Sequence, residues 1–508
     1  MRSSYALLLF PLACSAFQLP FKVPFLSSTA VIGEPEAPSG TPRIAIIGAG
    51  AGGSSAAFWI AKAKERFGLN VEVDVYEKES HVGGRSTIVY PYNDTTLPAV
   101  ELGGSIFVEA NKNLWRASQE FNLTLRDFND EGSTMGVWDG SSILFSAGDG
   151  WWDNAKLLWR FGTAPLRAKW ITDDIVKKFL RLYAYDHPKW DDIRDLAAQL
   201  DVAQLVEDTG EDYYRGKGVS EKFVFEVMEA ATRVNYGQNI DALHAFGAAV
   251  SIATNGATGI QGGNYQLFEQ FLNRSGATTY LNTPVTSISD SESFWTVRTA
   301  GSAKAYKAVI LAAPLQSSGV SINAPNVVEV PEVSYYHLHV TLLSTTSPRP
   351  NPEYFKAKTE DIPSTILTTY EGARRNETVP EFNSLSYHGA IRDGEWVVKI
   401  FSQHEISDEW LNEMFMGKVG WVHRKEWDAY PKLRPNSPMP PVKLDTNFYY
   451  VNAFEPFIST METETVAARN VVDLLLNEAF GTSICGHRLP DPHTRRAQDS
   501  KYTYGWDC

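Results

Sequence analysis

Cysteine, positive charge and long apolar runs are all scarce in this chain of 508 residues. Its three cysteines are too few for a disulfide-dense scaffold. The formal charge of −14 argues against a nucleic-acid partner, because binding to phosphates requires a basic face. Nowhere do about 20 apolar residues follow one another, so we expect no transmembrane segment.

Several catalytic signatures are absent as well. The sequence contains no nucleophile elbow, no zinc-ligand spacing and no calcium-loop pattern, so we expect no bound metal, and no residue stands out as a catalytic group. What is present is a globular composition, with 43% hydrophobic residues and 14 tryptophans. This composition favours a protein that binds its substrate by burying apolar surface.

The N-terminus has the pattern of a secretory signal peptide. Arg2 precedes a short apolar run at residues 5–13, and small residues that suit cleavage follow. Residues 1–16 are therefore predicted as the signal. Residues 17–40, which contain proline and serine and show little periodicity, are predicted as a linker.

Two further features agree with export. Sequons for N-glycosylation begin at Asn93, Asn122, Asn273 and Asn376. Removal of Cys14 with the signal leaves Cys485 and Cys508, which either form one disulfide that holds the C-terminal tail or remain two thiols. We expect a glycoprotein of the secretory pathway, located in a vacuole or lysosome or outside the cell.

The most informative segment is a glycine turn that follows an apolar strand at residues 43–47. Gly48, Gly50 and Gly53 have the G-x-G-x-x-G spacing, and a helix of small residues follows. In this motif the glycines allow a tight turn, a close approach of the backbone to a pyrophosphate, and close packing of the helix on the strand. The segment predicts a Rossmann domain that binds a dinucleotide.

The residues after this turn narrow the choice of dinucleotide. Glu77 ends the next predicted strand, where such folds place the carboxylate that binds the ribose hydroxyls, and Lys78 beside it is assigned to the same site. The turn Gly83-Gly84-Arg85 fits a pyrophosphate held by backbone N–H groups and one guanidinium. The turn Gly103-Gly104 lets the chain pass close to a flat ring system.

This order of motifs resembles the FAD fingerprint of the glutathione-reductase-like superfamily, in its amine oxidase branch. The resemblance implies that Val285 contacts the adenine and that the start of the final helix, with Met461 and Glu462, approaches the flavin ring. The usual Gly-Asp pair before that helix is missing, and Glu455 is the candidate acidic partner of the ribityl chain and pyrophosphate. No second G-x-G-x-x-G follows a strand, which favours an oxidase that uses O2 over an enzyme that uses NADPH.

The fold class implied is α/β, with a Rossmann-type FAD-binding domain and a second α+β substrate domain that contains a helical insertion. Apolar residues of the insertion recur with helical spacing, whereas the segments on either side alternate as strands. The predicted segments are 41–148, 246–330 and 441–480 for the FAD-binding domain, 149–245 for the insertion, 331–440 for the substrate sheet, and 481–508 for a tail.

Individual elements are predicted within these segments. The strands are expected at residues 71–77, 279–288, 294–298, 307–314, 334–345, 383–391, 395–404 and 448–452. A closing helix is expected from a cap at Ser459 or Thr460 through Asn477. Trp151 and Trp152 in the insertion are interpreted either as walls of a substrate channel or as core residues.

Six short segments resemble one family, the prenylcysteine oxidases, which are also called prenylcysteine lyases. The segments are 100–107, 262–264, 309–315, 427–431, 449–452 and 459–462. The resemblance implies two small reactants, O2 and an apolar prenylated cysteine such as farnesyl- or geranylgeranylcysteine. In the implied reaction, hydride leaves the carbon bonded to sulfur for the FAD, and water adds. The hemithioacetal then collapses to cysteine and a prenyl aldehyde, while O2 is reduced to hydrogen peroxide.

Two points stay open at the level of sequence. His337 and His339 share one face of a predicted strand, where they either line the substrate side and assist water addition or form a solvated, hydrogen-bonded face. Two other functions also remain possible. The chain could be a flavin oxidase of the same fold for another apolar thioether, amine or secondary metabolite, or a lipid carrier that retains FAD as a structural group.

Overall fold

The structure is a computed structural model that describes residues 40–126, 134–148, 151–486 and 502–508. The predicted signal peptide and the predicted linker lie outside these ranges, apart from residue 40. Within the described ranges, no helix is long and apolar enough to cross a membrane.

The strands and helices follow one another along the chain as listed here. The strands are β1 (Arg43–Ile47), β2 (Glu72–Tyr76), β3 (Thr87–Val89), β4 (Val100–Gly103), β5 (Leu125–Arg126), β6 (Met135–Trp138), β7 (Ile143–Ala147), β8 (Gly259–Ile260), β9 (Thr278–Tyr280), β10 (Val285–Asp290), β11 (Trp295–Thr299), β12 (Ala303–Tyr306), β13 (Ala308–Leu311), β14 (Ser321–Asn323), β15 (Tyr335–Thr345), β16 (Thr365–Thr368), β17 (Ser384–Arg392), β18 (Glu395–Ser402), β19 (Val419–Pro431), β20 (Lys443–Asp445) and β21 (Phe448–Tyr450). The α-helices are α1 (Ala51–Phe67), α2 (Lys112–Glu120), α3 (Trp151–Phe161), α4 (Ala164–Phe179), α5 (Ile193–Gln199), α6 (Gln204–Glu207), α7 (Gly210–Gly216), α8 (Glu221–Phe223), α9 (Glu229–Tyr236), α10 (Ala245–Ile252), α11 (Tyr265–Ser275), α12 (Leu315–Ser318), α13 (Glu371–Arg374), α14 (Asp408–Met414) and α15 (Met461–Phe480).

The first sheet has the strand order β9-β2-β1-β13-β21-β20. Neighbouring strands are parallel except for β20 at the edge. The central strand β1 is apolar and buried after its first residue, as expected for a parallel strand covered on both faces. Helix α1 packs against α11 and α15. This is the predicted Rossmann arrangement, and it brings the carboxyl ends of β1, β2 and β13 to one edge.

A separate four-stranded sheet has the order β12-β11-β10-β14. The prediction of one strand over residues 279–288 is wrong, because β9 ends in the first sheet and β10 begins in the four-stranded one. Asn282 between them takes a left-handed φ of 51°, and Pro284 has no N–H to donate to a strand ladder. These two residues interrupt the pairing and let the chain change sheets.

The second sheet has the order β19-β15-β18-β17-β16-β6-β7 and is antiparallel apart from the pair β16 and β6. It contains the strands predicted at 334–345, 383–391 and 395–404. Strands β6 and β7 also belong to it, although they precede the predicted boundary at residue 148. That boundary therefore separates two strands from the sheet in which they pair.

The remaining long elements follow the predicted pattern. Helices α3 to α10 lie between β7 and β8, within the predicted insertion or at its end. The side chain of Thr460 accepts from the backbone N–H of Thr463, and the Thr463 side chain accepts from the backbone of Thr460, which forms a capping box at the start of α15. The helix continues three residues past Asn477 and ends at Gly481, which takes a φ of 63°.

The C-terminal residues pack against α1 and are joined to Cys485 by a disulfide. A disulfide joins Cys485 to Cys508, whose Cα atoms lie 5.3 Å apart, so the pairing left open by the sequence is formed. The Trp506 ring lies 5.1 Å from the ring of Phe58 in α1. The predicted tail is therefore part of the packing around α1.

Candidate functional site

The turn between β1 and α1 has no room for a side chain at two of its three glycines. Gly48 has a φ of 106°, and a Cβ there would lie 2.5 Å from the carbonyl oxygen of Ala312. A Cβ at Gly53 would lie 1.9 Å from the carbonyl oxygen of Gly48. Gly50 caps α1 in an extended conformation and lines a large cavity. The first N–H groups of α1 can therefore meet an anionic ligand without an intervening side chain.

The turn at Gly83 and Gly84 lies directly against this loop. The backbone N–H of Gly83 donates to the carbonyl of Ala49 at 3.0 Å, and Gly83 pairs with Gly50 in a short parallel bridge. A Cβ at Gly84 would lie 3.3 Å from the Cα of Gly50. The two glycine turns form one backbone surface of the kind that binds a pyrophosphate.

The other residues predicted for the nucleotide end also reach the cavity wall. Glu77 and Lys78 follow β2, and Val285 begins β10; all three line the cavity. The Glu77 carboxylate accepts from the backbone N–H of Ala49 at 2.8 Å and from that of Glu79 at 2.9 Å. These bonds hold the carboxylate at the strand end and leave lone pairs that can accept from ribose hydroxyls.

Arg85 connects the glycine turns to a buried acidic group. Its Nη1 donates to the carbonyl of Ala429 at 2.8 Å, and its Nη2 donates to Glu455, which also accepts from the hydroxyl of Tyr335. Glu455 is fully buried and does not line the cavity, whereas Arg85 does. The structure therefore does not place Glu455 where the sequence predicts, because its carboxylate is used to orient Arg85.

Beside Glu455, the carboxyl group that lines the cavity is that of Glu464. The Nδ2 of Asn452 donates to both Glu455 and Glu464, each at 3.1 Å. Burial and the neighbouring Glu455 raise the pKa of Glu464 well above its usual value, which favours the protonated form of this carboxyl group. Glu464 Oε1, Asn452 Oδ1 and Ser86 Oγ are buried at the cavity wall and have no partner among the described residues. Three such atoms together fit a polar ligand.

Glu462 points away from the predicted flavin position. Its carboxylate accepts from the backbone N–H groups of Asn113 and Leu114, both at 2.9 Å, and from the hydroxyl of Tyr183 at 2.6 Å. Burial raises its pKa to about 7. The two amides belong to the first turn of α2, where a carboxylate is favoured. Glu462 thus joins α2 to α15, while Met461 beside it lines the cavity.

The predicted turn at Gly103 and Gly104 meets Met461 at the cavity wall. Gly104 has a φ of 61°, and a Cβ there would lie 3.2 Å from the Sδ of Met461. A Cβ at Gly103 would lie 2.8 Å from the ring of Trp427 on β19. The turn, the start of α15 and β19 therefore come together, and any side chain on the turn would collide with one of them.

The wall residues enclose one cavity of about 1860 Å³. A pocket for one drug-sized ligand usually measures roughly 300–1,000 Å³, so this cavity has room for a dinucleotide and a second molecule. Its remaining wall is largely apolar and comes from α3, α4, α9, α10, the π-helical turn before α9 and the second sheet. The apolar lining includes Val137, Phe145, Leu157, Ile175, Phe179, Phe223, Val227, Val234, Phe246, Val250 and Leu367.

A buried lysine also reaches the cavity wall. Lys399 on β18 donates to the carbonyl of Glu101 at 3.2 Å and to the hydroxyl of Ser105 at 3.0 Å. Burial lowers the pKa of Lys399 and raises that of the Glu101 carboxyl. His388 on β17 also lines the cavity; burial lowers its pKa, and its Nε2 has no partner within the described part of the chain. This group of side chains can hold or release a proton beside a ligand.

His337 and His339 do not line the cavity. They lie on the face of β15 opposite to Leu338, which does. The ring of His337 is hydrogen-bonded to Asp428 at 3.1 Å, which raises the pKa of His337. The interpretation that holds is therefore the hydrogen-bonded, solvated face. The side chains of Trp151 and Trp152 lie outside the described residues.

Sequence reasoning missed Lys399, His388 and Glu464. For Lys399 a signal was available, because a lone lysine stands in the otherwise apolar run from Trp396 to Phe401, and lysines are rarely buried without a partner. No comparable signal marks Glu464, because the first turn of α15 carries two glutamates, Glu462 and Glu464, that the sequence does not distinguish. Only the three-dimensional packing shows which of the two faces the cavity.

Comparisons with known proteins agree with this architecture. The family model for prenylcysteine lyase matches residues 146–483, and a model for an NAD(P)-binding Rossmann-like domain matches residues 46–121. Farnesylcysteine lyase of Arabidopsis thaliana is 30% identical over 456 residues, which cover 85% of this chain and 88% of that protein. Prenylcysteine oxidase 1 of Homo sapiens is 28% identical over 466 residues, which cover 84% and 87%.

Solved structures of amine oxidases share the fold. A double mutant of putrescine oxidase has a TM-score of 0.56 at 16% identity, and the match covers 86% of this chain and 100% of that chain. Cyclohexylamine oxidase from Brevibacterium oxydans IH-35A has a TM-score of 0.53 at 15% identity, with 84% and 97% covered. At such identities the likeness concerns the fold alone. Because the family model spans most of the chain, from the second sheet to the end of α15, the chain belongs to the prenylcysteine lyase family.

Proposed function

We propose that this protein is an FAD-dependent oxidase that cleaves the thioether of a prenylated cysteine. The observation that carries the proposal is one cavity that joins a dinucleotide-binding edge to a large apolar wall. A prenyl chain is apolar and long, so it requires such a wall, and the reacting carbon must lie beside the cofactor. The names of the relatives, farnesylcysteine lyase and prenylcysteine oxidase, support the same substrate class.

The proposed reaction is balanced by O2 and water. Prenylcysteine, O2 and water yield cysteine, a prenyl aldehyde and hydrogen peroxide. The carbon bonded to sulfur loses a hydride and gains the oxygen of water, the C–S bond breaks, and O2 takes up two electrons and two protons. FAD supplies the two-electron acceptance and the reaction with O2 when it is bound.

The residues of the nucleotide edge fit FAD. The two glycine turns would present backbone N–H groups to the pyrophosphate, and Glu77, held by the N–H of Ala49, would accept from the ribose hydroxyls. Arg85, held by Glu455, adds one positive charge at the same wall. The unpaired atoms of Ser86, Asn452 and Glu464 provide further partners for a polar chain. Lys78, Gly104, Val285 and Met461 complete the proposed contacts.

The rest of the cavity positions the substrate. Its apolar side chains exclude water from the prenyl chain and hold the allylic carbon in place. Lys399 lies at the cavity wall, and two of its three N–H groups donate to the carbonyl of Glu101 and the hydroxyl of Ser105. We infer that the third N–H of Lys399 positions a water molecule or a reacting oxygen, and that Lys399 acts with Glu101 as a proton store.

The experiment that tests this function is anaerobic reduction followed by exposure to air. We expect the purified protein to be yellow, farnesylcysteine to bleach the flavin without O2, and air to restore it with formation of one hydrogen peroxide and one farnesal per cysteine. S-dodecylcysteine, which has a thioether but no allylic carbon, and an alkylamine are the matched controls.

Three results would contradict the proposal in different ways. A flavin that farnesylcysteine leaves oxidised removes prenylcysteine as the substrate. Faster bleaching by an amine or by another thioether assigns the protein to a different oxidase reaction. A colourless protein that still binds farnesyl lipid with high affinity indicates a carrier.

We further propose that the protein passes through the secretory pathway. The four sequon residues, Asn93, Asn122, Asn273 and Asn376, are all exposed, as glycan attachment requires. The disulfide between Cys485 and Cys508 also suits an oxidising compartment. Expression in a eukaryotic host followed by treatment with an N-glycosidase should lower the apparent mass, and an unchanged mass contradicts glycosylation.

A further inference from the structure

One group of possible metal ligands lies on the face of the second sheet that is turned away from the cavity, although Asp428 beside them also lines the cavity. His337 and His339 of β15 stand opposite Asp428 and Glu426 of β19 in the antiparallel register. His337, His339 and Glu426 each offer one ligand atom, and these three atoms lie within 4.8 Å of one another. The four side chains form a compact patch of two histidines and two carboxylates, which we call the His337 patch.

The distances within the patch suit a single ion after a small adjustment. The Nε2 of His337 lies 3.6 Å from Glu426 Oε2, and the Nδ1 of His339 lies 3.8 Å from the same oxygen. Ligand atoms at about 2.1 Å from a tetrahedral zinc ion lie roughly 3.4 Å apart. Because all three side chains are at least partly exposed, rotation about their side-chain bonds can bring the atoms together.

Asp428 supplies the support that metal-binding histidines usually have. Its Oδ1 lies 3.1 Å from the Nδ1 of His337. A hydrogen bond from the Nδ1–H to this carboxylate orients the ring. The lone pair on Nε2, the atom that faces Glu426, then remains free to bind a metal. Metal-ligating histidines almost always donate their second N–H to such a group.

The donor set selects the class of ion. Two imidazole nitrogens and one carboxylate oxygen suit zinc and the later first-row transition metals, whereas calcium and magnesium prefer oxygen ligands throughout. We propose that the His337 patch binds one divalent transition-metal ion, with His337, His339 and Glu426 as ligands and Asp428 as the orienting group. Three protein ligands leave a fourth position open to solvent, as in zinc sites that bind a further ligand.

The test is titration of the metal-free, flavin-loaded protein with zinc chloride in a calorimeter. We expect one zinc ion per chain, and His337→Ala or His339→Ala should weaken binding at least ~30-fold. Asp428→Asn should weaken it roughly tenfold, because it removes only the orienting bond. His404→Ala, an exposed histidine outside the patch, is the matched control and should bind as the wild type does.

A second measurement keeps this test independent of folding and of oxidase activity. Cobalt(II) bound by the wild type should show visible absorption bands of a four-coordinate site, and His339→Ala should lose them while its unfolding temperature is unchanged. The proposal is overturned if the wild type binds no zinc, or if both histidine variants bind it as tightly as the wild type.

A different observation concerns the outer face of the helix pair α3 and α4. Eleven large apolar side chains are exposed in the described part of the chain, and four of them lie between residues 158 and 170. Trp159 is 91% exposed and Trp170 is 69% exposed, with Leu158 and Leu166 beside them in sequence. Such a concentration of exposed aromatic and aliphatic side chains marks an interaction surface.

The inner face of the same pair belongs to the substrate cavity. Ala168, Thr172 and Ile175 of α4 are buried and line the cavity, while Leu166 and Trp170, one turn apart, face outward. Helix α4 therefore separates the apolar cavity from the exposed apolar surface by the thickness of one helix. A lipid substrate that reaches the outer face has a short path to the inner one.

Charge identifies the partner of this surface. Residues 151–182 contain seven Lys or Arg and three Asp, in a chain whose formal charge is −14. Three of these cations are paired with carboxylates: Arg160 with Glu226, Lys169 with Asp173, and Lys178 with Asp174 and Asp201. Arg167 and Arg181 instead donate to the backbone carbonyls of Gly218 and Gln199, bonds that leave their charge in place. Exposed tryptophans together with basic residues are the composition of helices that lie in a membrane interface. We propose that α3 and α4 dock on the surface of an anionic lipid bilayer.

Sedimentation with vesicles tests this docking without using the oxidase reaction. The flavin-loaded protein should bind vesicles of phosphatidylcholine with phosphatidylserine more strongly than vesicles of phosphatidylcholine alone. The double variant Trp159→Ser/Trp170→Ser should lose at least ~10-fold in binding. Val328→Ser, which changes an exposed apolar residue elsewhere, should bind as the wild type does.

Two outcomes would overturn the docking proposal. Undiminished vesicle binding by the double variant would show that another surface is used. Absence of vesicle binding by a wild type that forms a dimer, with the dimer lost in the double variant, would assign the surface to a second copy of the chain.

Discussion

The two halves of the molecule build their share of the cavity in different ways. The nucleotide half, which consists of the first sheet with α1, α11 and α15, forms much of its wall from backbone, because two glycine turns lie directly against each other. The substrate half, which consists of the second sheet with α3 to α10, forms its wall from side chains. We therefore expect a mutation in the first wall to abolish flavin binding and a mutation in the second wall to change substrate selectivity.

The largest effect is expected from Gly53→Val. The added Cβ would lie 1.9 Å from a backbone oxygen, so α1 must move away from β1 and the dinucleotide edge is lost. We expect a loss of more than ~3 kcal/mol in the free energy of unfolding, measured in urea, and no bound flavin. Gly301→Ala, where the added Cβ meets open space, is the control and should retain both. Normal flavin content in Gly53→Val would contradict the backbone account.

Loss of the disulfide should be the next largest change. Cys508→Ser opens a loop with a sequence separation of 23, which by chain entropy is worth about 3 kcal/mol. The tail also packs on the nucleotide half, since the hydroxyl of Tyr504 donates to Asp473 of α15. Calorimetry should show a lower melting temperature. Cys485→Ser and the double variant should match Cys508→Ser, and a larger effect of the double variant would argue against the pairing.

Lys399→Met tests the polar residue of the substrate half. The flavin should stay bound, while kcat with farnesylcysteine should fall roughly 100-fold, the usual effect of removing one well-placed donor. Burial lowers the pKa of Lys399, so its ammonium form is lost as pH rises through a value below that of a free lysine. The wild-type rate should therefore fall on the alkaline side.

That alkaline fall provides the readout that a purely structural role would not produce. Lys399→Met should have a flat profile over the same pH range, and Lys399→Arg should shift the fall to higher pH because an arginine keeps its charge. A wild-type profile that is flat, or a methionine variant with the same alkaline fall, would remove Lys399 from the mechanism.

A smaller and more selective effect is expected from Ala231→Phe. Ala231 lies in the first turn of α9 and lines the apolar part of the cavity. A phenylalanine ring at this position would therefore shorten the space for a prenyl chain. KM for geranylgeranylcysteine should rise about tenfold and KM for farnesylcysteine less, with flavin content unchanged. Ala198→Phe on the exposed side of α5 is the control. An equal rise in KM for both substrates would show that the added ring does not discriminate by the length of the prenyl chain.

The smallest effect is expected from His337→Ala. The side chain lies on the solvent face of β15, away from the cavity. Measured with a chelator present, kcat/KM should stay within about twofold of the wild type, as for most surface substitutions. A loss of more than tenfold would show that the solvent face of the second sheet takes part in the reaction.

Much of the nucleotide half was predictable because its constraints are local. The positions of Gly48, Gly53 and Gly84 follow from turns in which any Cβ meets backbone, and such turns keep their sequence spacing. Glu77 follows from its place at the end of the second strand. The capping box of α15 is equally local, since Thr460 and Thr463 are three residues apart.

The substrate half was harder to predict because its sheet combines distant segments. Strand β6 pairs with β16, more than 200 residues later, and β7 joins the sheet only through β6, so no local pattern assigns them to that sheet. The same holds for Lys399, whose partners Glu101 and Ser105 come from another part of the chain. Periodicity predicts that a strand exists, and it does not name the neighbours of that strand.

Spacing along the chain was enough to identify the Rossmann turn, the order of its glycine motifs and the resemblance to the prenylcysteine oxidases. Packing between distant segments, by contrast, sets which carboxylates face the cavity: Glu455 and Glu462 turn toward Arg85 and α2, whereas Glu464 lines the cavity. Packing also places His337 and His339 on the face of β15 away from the cavity and Lys399 at the cavity wall. The physical reason is that the environment of a charged group is set by packing between distant segments, whereas a glycine turn carries its steric requirement in its own backbone.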